Sequence, residues 1–321
     1  MLDALNFVRG AVATKELTPV LTHFHVYDGR VQGYNGRIAI DAPLNTPKQM
    51  DLTVPAEKLL RALNCCRGEV TLTQKGTDLL VKSDNFTAML ALAKHADFPK
   101  TEPAKGKRQD FPQHIMDVIR ILRPFIMENA LYPWASGILF RDGAAFATNN
   151  AVLASMPCAW AGAGYNLPFQ VIDELLRIAH IPTHFAVDKQ QITFFYDGDR
   201  WVTVGMYTIK WPEELRSYLN SIPAQLPEFD GQFIRDAIEQ IAPFCPDEKH
   251  DIICLGADGV KTLEGRTYAS VSGTTFADGK FNKQSLLAVA GVADHIDFSK
   301  YPEACPFRGP DGILGVISGV E

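Results

Sequence analysis

The sequence predicts an α+β fold built from three repeated domains, each with two helices packed on antiparallel sheets. Three observations predict it. A pair of hairpin turns recurs at a regular interval, a helix pattern precedes each pair, and a second helix pattern with further strands follows.

The turns are the sharpest signal. Residues 22–43 read THFHVYDGRVQGYNGRIAIDAP, and their flanking residues alternate apolar and polar as half-buried strands do. Asp28-Gly29 and Asn35-Gly36 are strong hairpin formers, because a type I′ turn needs positive φ at both central positions. Residues 136–157 carry Asp142-Gly143 and Asn149-Asn150, and residues 250–273 carry Asp258-Gly259 and Glu264-Gly265. The first-turn glycines, Gly29, Gly143 and Gly259, are 114 and then 116 residues apart.

Helix patterns precede the turns at 2–14, 112–126 and 230–244. Ile115, Val118, Ile119 and Leu122 form one apolar stripe, and Ile234, Ala237, Ile238 and Ile241 repeat it. Pro124-Phe125 is echoed by Pro243-Phe244. Second helices are expected at 55–66, 168–180 and 283–294, with Pro55 and Pro168 near the first helical position, where proline costs no hydrogen bond. Closing strands are expected at 69–90, 184–207 and, in the most degraded copy, 298–320. Each unit thus reads as helix, three strands, helix, three strands. Joints at 99–111 and 212–229, rich in Pro, Lys and Gly or marked by Pro212, Pro223 and Pro227, divide the chain into domains 1–105, 106–213 and 214–321.

Bulk properties restrict the function. A length of 321 residues fits two or three domains, and 46% hydrophobic with 21% charged residues is ordinary for a soluble protein. No apolar run approaches the roughly 18 residues of a membrane span, and Met1-Leu2-Asp3-Ala4 lacks the basic start of a secretory signal, so a cytoplasmic protein with no membrane partner is expected. Six scattered cysteines form no Cys-x-x-Cys pattern, so no metal is expected. The net charge of −6 argues against simple coating of nucleic acid. The balance is uneven: residues 1–109 hold 15 Lys/Arg against 11 Asp/Glu, residues 110–212 hold 7 against 9, and residues 213–321 hold 9 against 17.

Candidate chemistry is sparse. Residues 256–262 lack phosphate-loop spacing and read as a hairpin. His23 and His25 share a strand face without a third ligand, and read as exposed strand histidines. Trp134, Trp160, Trp201 and Trp211 form no regular stacking series and read as core or junction aromatics. No nucleophile elbow or zinc-protease motif is present, so an enzyme with a dispersed active site has no constellation behind it.

The helix faces do carry a pattern. Leu59, Leu60 and Leu63 form the buried side of the helix at 55–66, with Lys58 and Arg61 opposite. Arg177 points away from Val171, Ile172, Leu175 and Ala179, and Arg120 away from its own apolar stripe, with Arg123 at the flank; Arg9 flanks the first helix. The third repeat differs: Gln232, Asp236 and Glu239 face outward with Arg235 flanking, and the last helix shows Gln284, Ala288 and Gly291. Its cations would come from loops at Lys249, Lys261 or Lys280.

Local matches at Gly137-Ile138-Leu139-Phe140, Ala147-Thr148-Asn149-Asn150 and Lys210-Trp211-Pro212 leading to Arg216 add to the order and spacing of the units. Together they resemble the bacterial-type DNA polymerase III beta sliding clamp, in a shortened, bacteriophage-like version, across nearly the whole chain. The resemblance implies the DNA clamp fold, a homodimeric ring of six domains with helices lining the central hole. It implies no catalysis and no cofactor, but a processivity factor that encircles double-stranded DNA and has a replicative DNA polymerase and a clamp loader as partners. The DNA-facing residues would then be Arg9, Lys58, Arg61, Arg120, Arg123, Arg177 and Arg235, holding phosphates loosely. It also implies a pocket for partner peptides, with Thr148, Asn150 and Leu153 from the second hairpin, Pro212 and Arg216 from the joint, and Val316 and Ile317 from the last strand. The alternative is an interaction scaffold that keeps the fold without encircling DNA.

Overall fold

The computed structural model describes every residue except 16–17, 95–96, 129, 161–163, 209, 246–250, 258, 271–276 and 321. Asp258, a predicted turn residue, and Lys249, a predicted loop cation, lie outside the described residues.

The order of elements recurs along the chain. It begins with α1 (Leu2–Val8), β1 (His23–Tyr27), β2 (Arg30–Tyr34), β3 (Ile38–Pro43), β4 (Leu52–Pro55), α2 (Ala56–Cys65), β5 (Thr71–Lys75), β6 (Asp78–Lys82) and β7 (Thr87–Ala91). After the short β8 (Gln109–Asp110) come α3 (Ile115–Leu122), β9 (Gly137–Arg141), β10 (Ala144–Thr148), β11 (Val152–Pro157), β12 (Tyr165–Pro168), α4 (Phe169–Arg177), β13 (His184–Asp188), β14 (Gln191–Tyr196) and β15 (Arg200–Gly205). An extra helix, α5 (Glu214–Asn220), precedes the last series. That series runs α6 (Gly231–Ile241), β16 (Ile252–Gly256), β17 (Gly259–Thr262), β18 (Tyr268–Ala269), β19 (Gly279–Asn282), α7 (Lys283–Ala290), β20 (His295–Ile296), β21 (Cys305–Arg308) and β22 (Leu314–Ile317). A fourth strand (β4, β12 or β19) thus precedes each second helix, which the three-strand reading missed; Pro55 and Pro168 end two of these strands, placing proline at a strand terminus, where its missing N–H costs little.

The chain divides into two compact units, residues 1–113 with 170–206 and residues 114–169 with 207–321. In the first unit, an eight-stranded sheet runs β4-β1-β2-β3-β15-β14-β13-β8, and β5-β6-β7 form a separate sheet. The central join pairs β3 with β15 antiparallel, Ile38 opposite Val204 and Trp201 opposite Asp41. α1 packs on β2 and β3 and beside α2. The second unit repeats the device: a seven-stranded sheet runs β12-β9-β10-β11-β22-β21-β20, with β11 and β22 joined by Val152 opposite Ile317. Its other sheet runs β18-β17-β16-β19, and α6 lies beside α7.

The helices bury the stripes their sequences encode, with two exceptions. Ile115, Val118, Ile119 and Leu122 of α3 and Ile234, Ala237, Ile238 and Ile241 of α6 are all buried. In α2 the buried side is Ala56, Leu59, Ala62 and Leu63, while Leu60 is only half-buried. In α4 the helix ends at Arg177, so Ala179 falls beyond it and is exposed, and Ile178 is buried instead.

The turns split into two kinds. Asp28-Gly29 and Asp142-Gly143 have positive φ at both residues, as type I′ requires. At Asn35-Gly36, Asn149-Asn150 and Glu264-Gly265 only the second residue does. There the first asparagine folds the chain through its side chain: Asn35 Oδ1 accepts from the N–H groups of Arg37 and Ile38, and Asn149 Oδ1 from those of Ala151 and Val152.

One charged cluster secures the join in the first unit. The Asp41 side chain is fully buried, and accepts from Tyr27 Oη at 2.7 Å and Arg30 Nε at 2.6 Å. Arg30 also donates to the Asp199 carboxylate at 2.6 Å and to its carbonyl at 2.7 Å, so one guanidinium ties β2 and β3 to the β14–β15 turn. Burial pushes the Asp41 carboxyl above its usual range, against the opposing Tyr27 hydrogen bond and Arg30 charge. His25 is buried rather than exposed, with Nε2 2.9 Å from Asp51 Oδ1 and its ring stacked on Tyr27. Among the described residues, no helix is long and apolar enough to cross a membrane.

Arg30→Met leaves the buried Asp41 carboxylate without its cation. It should lower the unfolding free energy by about 3 kcal/mol, measured by urea denaturation, whereas a loss under about 0.5 kcal/mol, the scale of an ordinary surface substitution, would mean the cluster does not hold the join.

Candidate functional site

The second unit carries a cleft of about 720 Å³. Its floor comes from the β10–β11 hairpin (Thr148, Asn150, Val152, Leu153) and from Val316 and Ser318 at the end of β22. One wall is Trp134, a second is α5 with its following turn (Leu215, Tyr218, Ile222, Pro223), and a third is the segment 300–306. Leu153 pairs with Val316 across β11 and β22, and both line the cleft. Ile317, next along, is fully buried and does not line it.

Four of the seven predicted pocket residues therefore come together: Thr148, Asn150, Leu153 and Val316. Thr148 Oγ1 donates to Val152 O at 2.7 Å and accepts from Asn150 N–H at 3.2 Å, which fixes the hairpin tip. Asn150 takes a left-handed φ of 71°, tolerable for asparagine. Pro212 and Arg216 do not line the cleft. Pro212 caps the approach to α5, where its carbonyl accepts from Leu215 N–H. The Arg216 guanidinium is held by Asp142 at 3.0 Å and lies 5.3 Å over the Phe146 ring.

Sequence reasoning missed Trp134 and the whole α5 wall. The signal was present, since Leu215, Leu219 and Ile222 are spaced as one helical face, and these join Leu139, Phe146, Leu153 and Trp211 in an apolar cluster. Trp134 meets Trp211 edge-on with centroids 5.1 Å apart, and Tyr132 stacks on Trp134 at 5.8 Å. An apolar slot with a few polar groups at its edge suits a short peptide. The thiols of Cys158 and Cys305 are pushed up by burial, to about 11 and about 12, so both stay protonated near neutral pH. Among the described residues, no group of three or more His, Cys, Asp or Glu could hold a metal.

The predicted DNA-facing cations are distributed as follows. In the first unit, Arg9, Lys58, Arg61 and Arg177 are exposed. Arg61 pairs with Glu57 one turn away. Arg177 is occupied: its guanidinium meets Glu174 at 2.6 Å and donates to the carbonyls of Asn6 and Phe7, binding α4 to the C-terminal end of α1. In the second unit Arg120 pairs with Asp117 at 2.6 Å and Arg123 with Glu128 at 2.7 Å, while Arg235 donates to the Gln232 side chain. Exposed pairs of this kind hold weakly, by under about 1 kcal/mol, so a phosphate can displace the acid. The internal bonds of Arg177 make it the least available of the seven.

No protein-family model matches the sequence, and no curated protein is similar to it. Solved structures do match. The DNA polymerase sliding clamp of Bacillus subtilis superposes with a TM-score of 0.80 at 14% identity, covering 100% of this chain and 96% of that one. The DNA polymerase III subunit beta of Pseudomonas aeruginosa gives 0.78 at 19%, covering 100% and 97%. The Helicobacter pylori beta clamp bound to a DNA ligase peptide gives 0.75 at 12%, with the same coverage. The chain has the fold of these clamps.

If the cleft captures apolar peptides, Val316→Asp and Tyr218→Ala should each weaken a capped, uncharged peptide bearing leucine and phenylalanine anchors by about tenfold, as expected when an apolar contact worth 1–2 kcal/mol is lost. Isothermal titration checks this, and unchanged affinity in both variants would remove the cleft as the binding site.

Proposed function

We propose that this chain, with the fold of the bacterial DNA polymerase III beta clamps, is a sliding clamp: two copies close a ring around duplex DNA and tether a polymerase through the cleft. The domains would be 1–105, 106–213 and 214–321, so that two chains supply six. One observation carries the reading. Twice within the chain, the third strand of one repeat's first half joins the last strand of the next repeat's second half, as β3 joins β15 and β11 joins β22. By that rule β18 and β7 are left over. Each is the last strand of its own sheet among the described residues.

Both leftover ends are apolar where the internal joins are sealed. Met89 on β7 is 52% exposed and Tyr268 on β18 is 64% exposed. Phe125, in the turn after α3, is fully buried and packs 6.4 Å from Phe307 on β21. Its counterpart after α6, Phe244, is 64% exposed. A second copy offering its β5-β6-β7 sheet would cover Phe244 and extend the β18 edge. Unpaired edges and exposed aromatics are costly to leave open, and a chain with two different ends closes with a partner head to tail.

DNA contact would fall to Lys58, Arg61, Arg120 and Arg123, with Arg9 and Arg235 beside them. The Helicobacter pylori clamp bound to a DNA ligase peptide supports peptide capture as the tether; in this reading, polymerase and clamp-loader peptides would compete for the one cleft. The scaffold alternative has one observation in its favour, the poor basic face of the third repeat, where Gln232, Asp236 and Glu239 are exposed on α6.

Retention on nicked circular DNA separates the two. A ring stays on the circle and leaves within the dead time once the circle is cut; a scaffold does neither. Lys58→Ala, Arg61→Ala and Arg120→Ala together should weaken retention and lower the salt slope by up to about three units, and an unchanged slope would remove the helix-face assignment. Phe244→Asp should abolish retention while leaving each chain folded.

A further inference from the structure

One wall of the cleft is attached differently from the others. The floor and the Trp134 wall belong to the sheet or to turns continuous with it, whereas α5 is a seven-residue helix in a linker, of which only Leu219 is fully buried. Such a short helix has little stability of its own. What fixes it is a pair of arginine clamps. At its start, Arg216 donates to Asp142 in the β9–β10 turn at 3.0 Å, and Arg141 of the same turn meets Glu213 at 2.5 Å. Arg141 also lies 3.2 Å from Asp142, and Arg216 3.7 Å from Glu213, closing a four-member ring of charge. At its end, Arg308 on β21 donates to the carbonyls of Ile222 at 3.3 Å and Pro223 at 2.8 Å, the unsatisfied end of the helix and its following turn.

We propose that α5 is a separately anchored jaw of the cleft, and that Asp142, Arg216 and Arg308 are positioning residues that set peptide affinity without touching peptide. None of the three lines the cleft. Leu215, Tyr218 and Ile222, which do, are carried on the clamped helix. The clamps at the start are half-exposed, with the Arg216 side chain 32% and that of Asp142 56% accessible, so salt screens them. The inference rests on the cleft being the peptide site.

An uncharged ligand isolates the effect, because salt then has no charge on the ligand to screen. The probe is a capped peptide with leucine and phenylalanine anchors and no charged residue, titrated into the full chain between low and high sodium chloride. The wild type should lose about threefold in affinity across that range, the scale of one or two exposed ion pairs. Asp142→Asn should show part of that loss already at low salt and a shallower salt dependence, because the pairs of Glu213 with Arg141 and Arg216 remain. Asp142→Glu, which keeps the charge, should keep the salt slope, and Arg308→Met should weaken binding while leaving it. Val316→Asp serves as the control on the cleft itself. If Val316→Asp abolishes binding while Asp142→Asn and Arg308→Met bind as the wild type at every salt concentration, the jaw is overturned and the cleft stands. If Val316→Asp binds normally, the cleft is not the peptide site and the jaw falls with it.

Discussion

A strand at the edge of a sheet presents unpaired N–H and C=O groups, and this chain pairs its edges by crossing from one repeat to the next. The paired residues of β3 and β15 lie 160 positions apart at Asp41 and Trp201 and 166 apart at Ile38 and Val204, yet they form one continuous antiparallel ladder, and β11 with β22 repeats it. Each of the two large sheets is therefore made from the first half of one repeat and the second half of the next. The polar cost of joining them is met by Asp41 and Arg30 in the first unit, where a buried carboxylate is matched by a guanidinium that reaches the neighbouring turn. Among the described residues, the sheets ending at β18 and β7 stay unjoined within the chain, and the proposed assembly follows from those two ends.

The two linkers show how sheet chemistry decides what lies on top of it. In the first unit, Gln32, Gln191 and Thr193 offer polar groups to an extended backbone: they bond Thr101 O, Glu102 O and Ala104 N, and Arg108 stacks 3.9 Å over Phe195. Segment 99–108 accordingly lies flat as a strap. Gly106 is needed there, because a Cβ would meet Val187 O at 1.8 Å. In the second unit, Leu139, Phe146 and Leu153 offer no such groups, so the linker coils its own hydrogen bonds into α5 and lays down an apolar face. A helix covers less of a sheet than a flat strap does. The uncovered remainder is the cleft.

Much of this was legible in the residues. Turn spacing carries the repeat, and the 3.6-residue periodicity of α3 and α6 carries their buried sides except for Met116 and Gly231, which are buried as well. The clamp resemblance names Val316 and Ile317 together, although neighbouring strand residues face opposite sides; Val316 lines the cleft beside Leu153, and Ile317, paired with Val152, is buried. The partners that hold Arg216 and Arg177 are not legible in the sequence, because Asp142 and the α1 carbonyls are distant along the chain. The α5 wall was passed over because three prolines in 212–229 marked a joint, outweighing a stripe only two turns long.

The account depends on two chains supplying the join that one chain lacks. Light scattering of the full chain at micromolar concentration tests it most directly. A mass twice the 35.5 kDa of a single chain is the expected result, and a stable monomer that leaves β7 and β18 unpaired would contradict it.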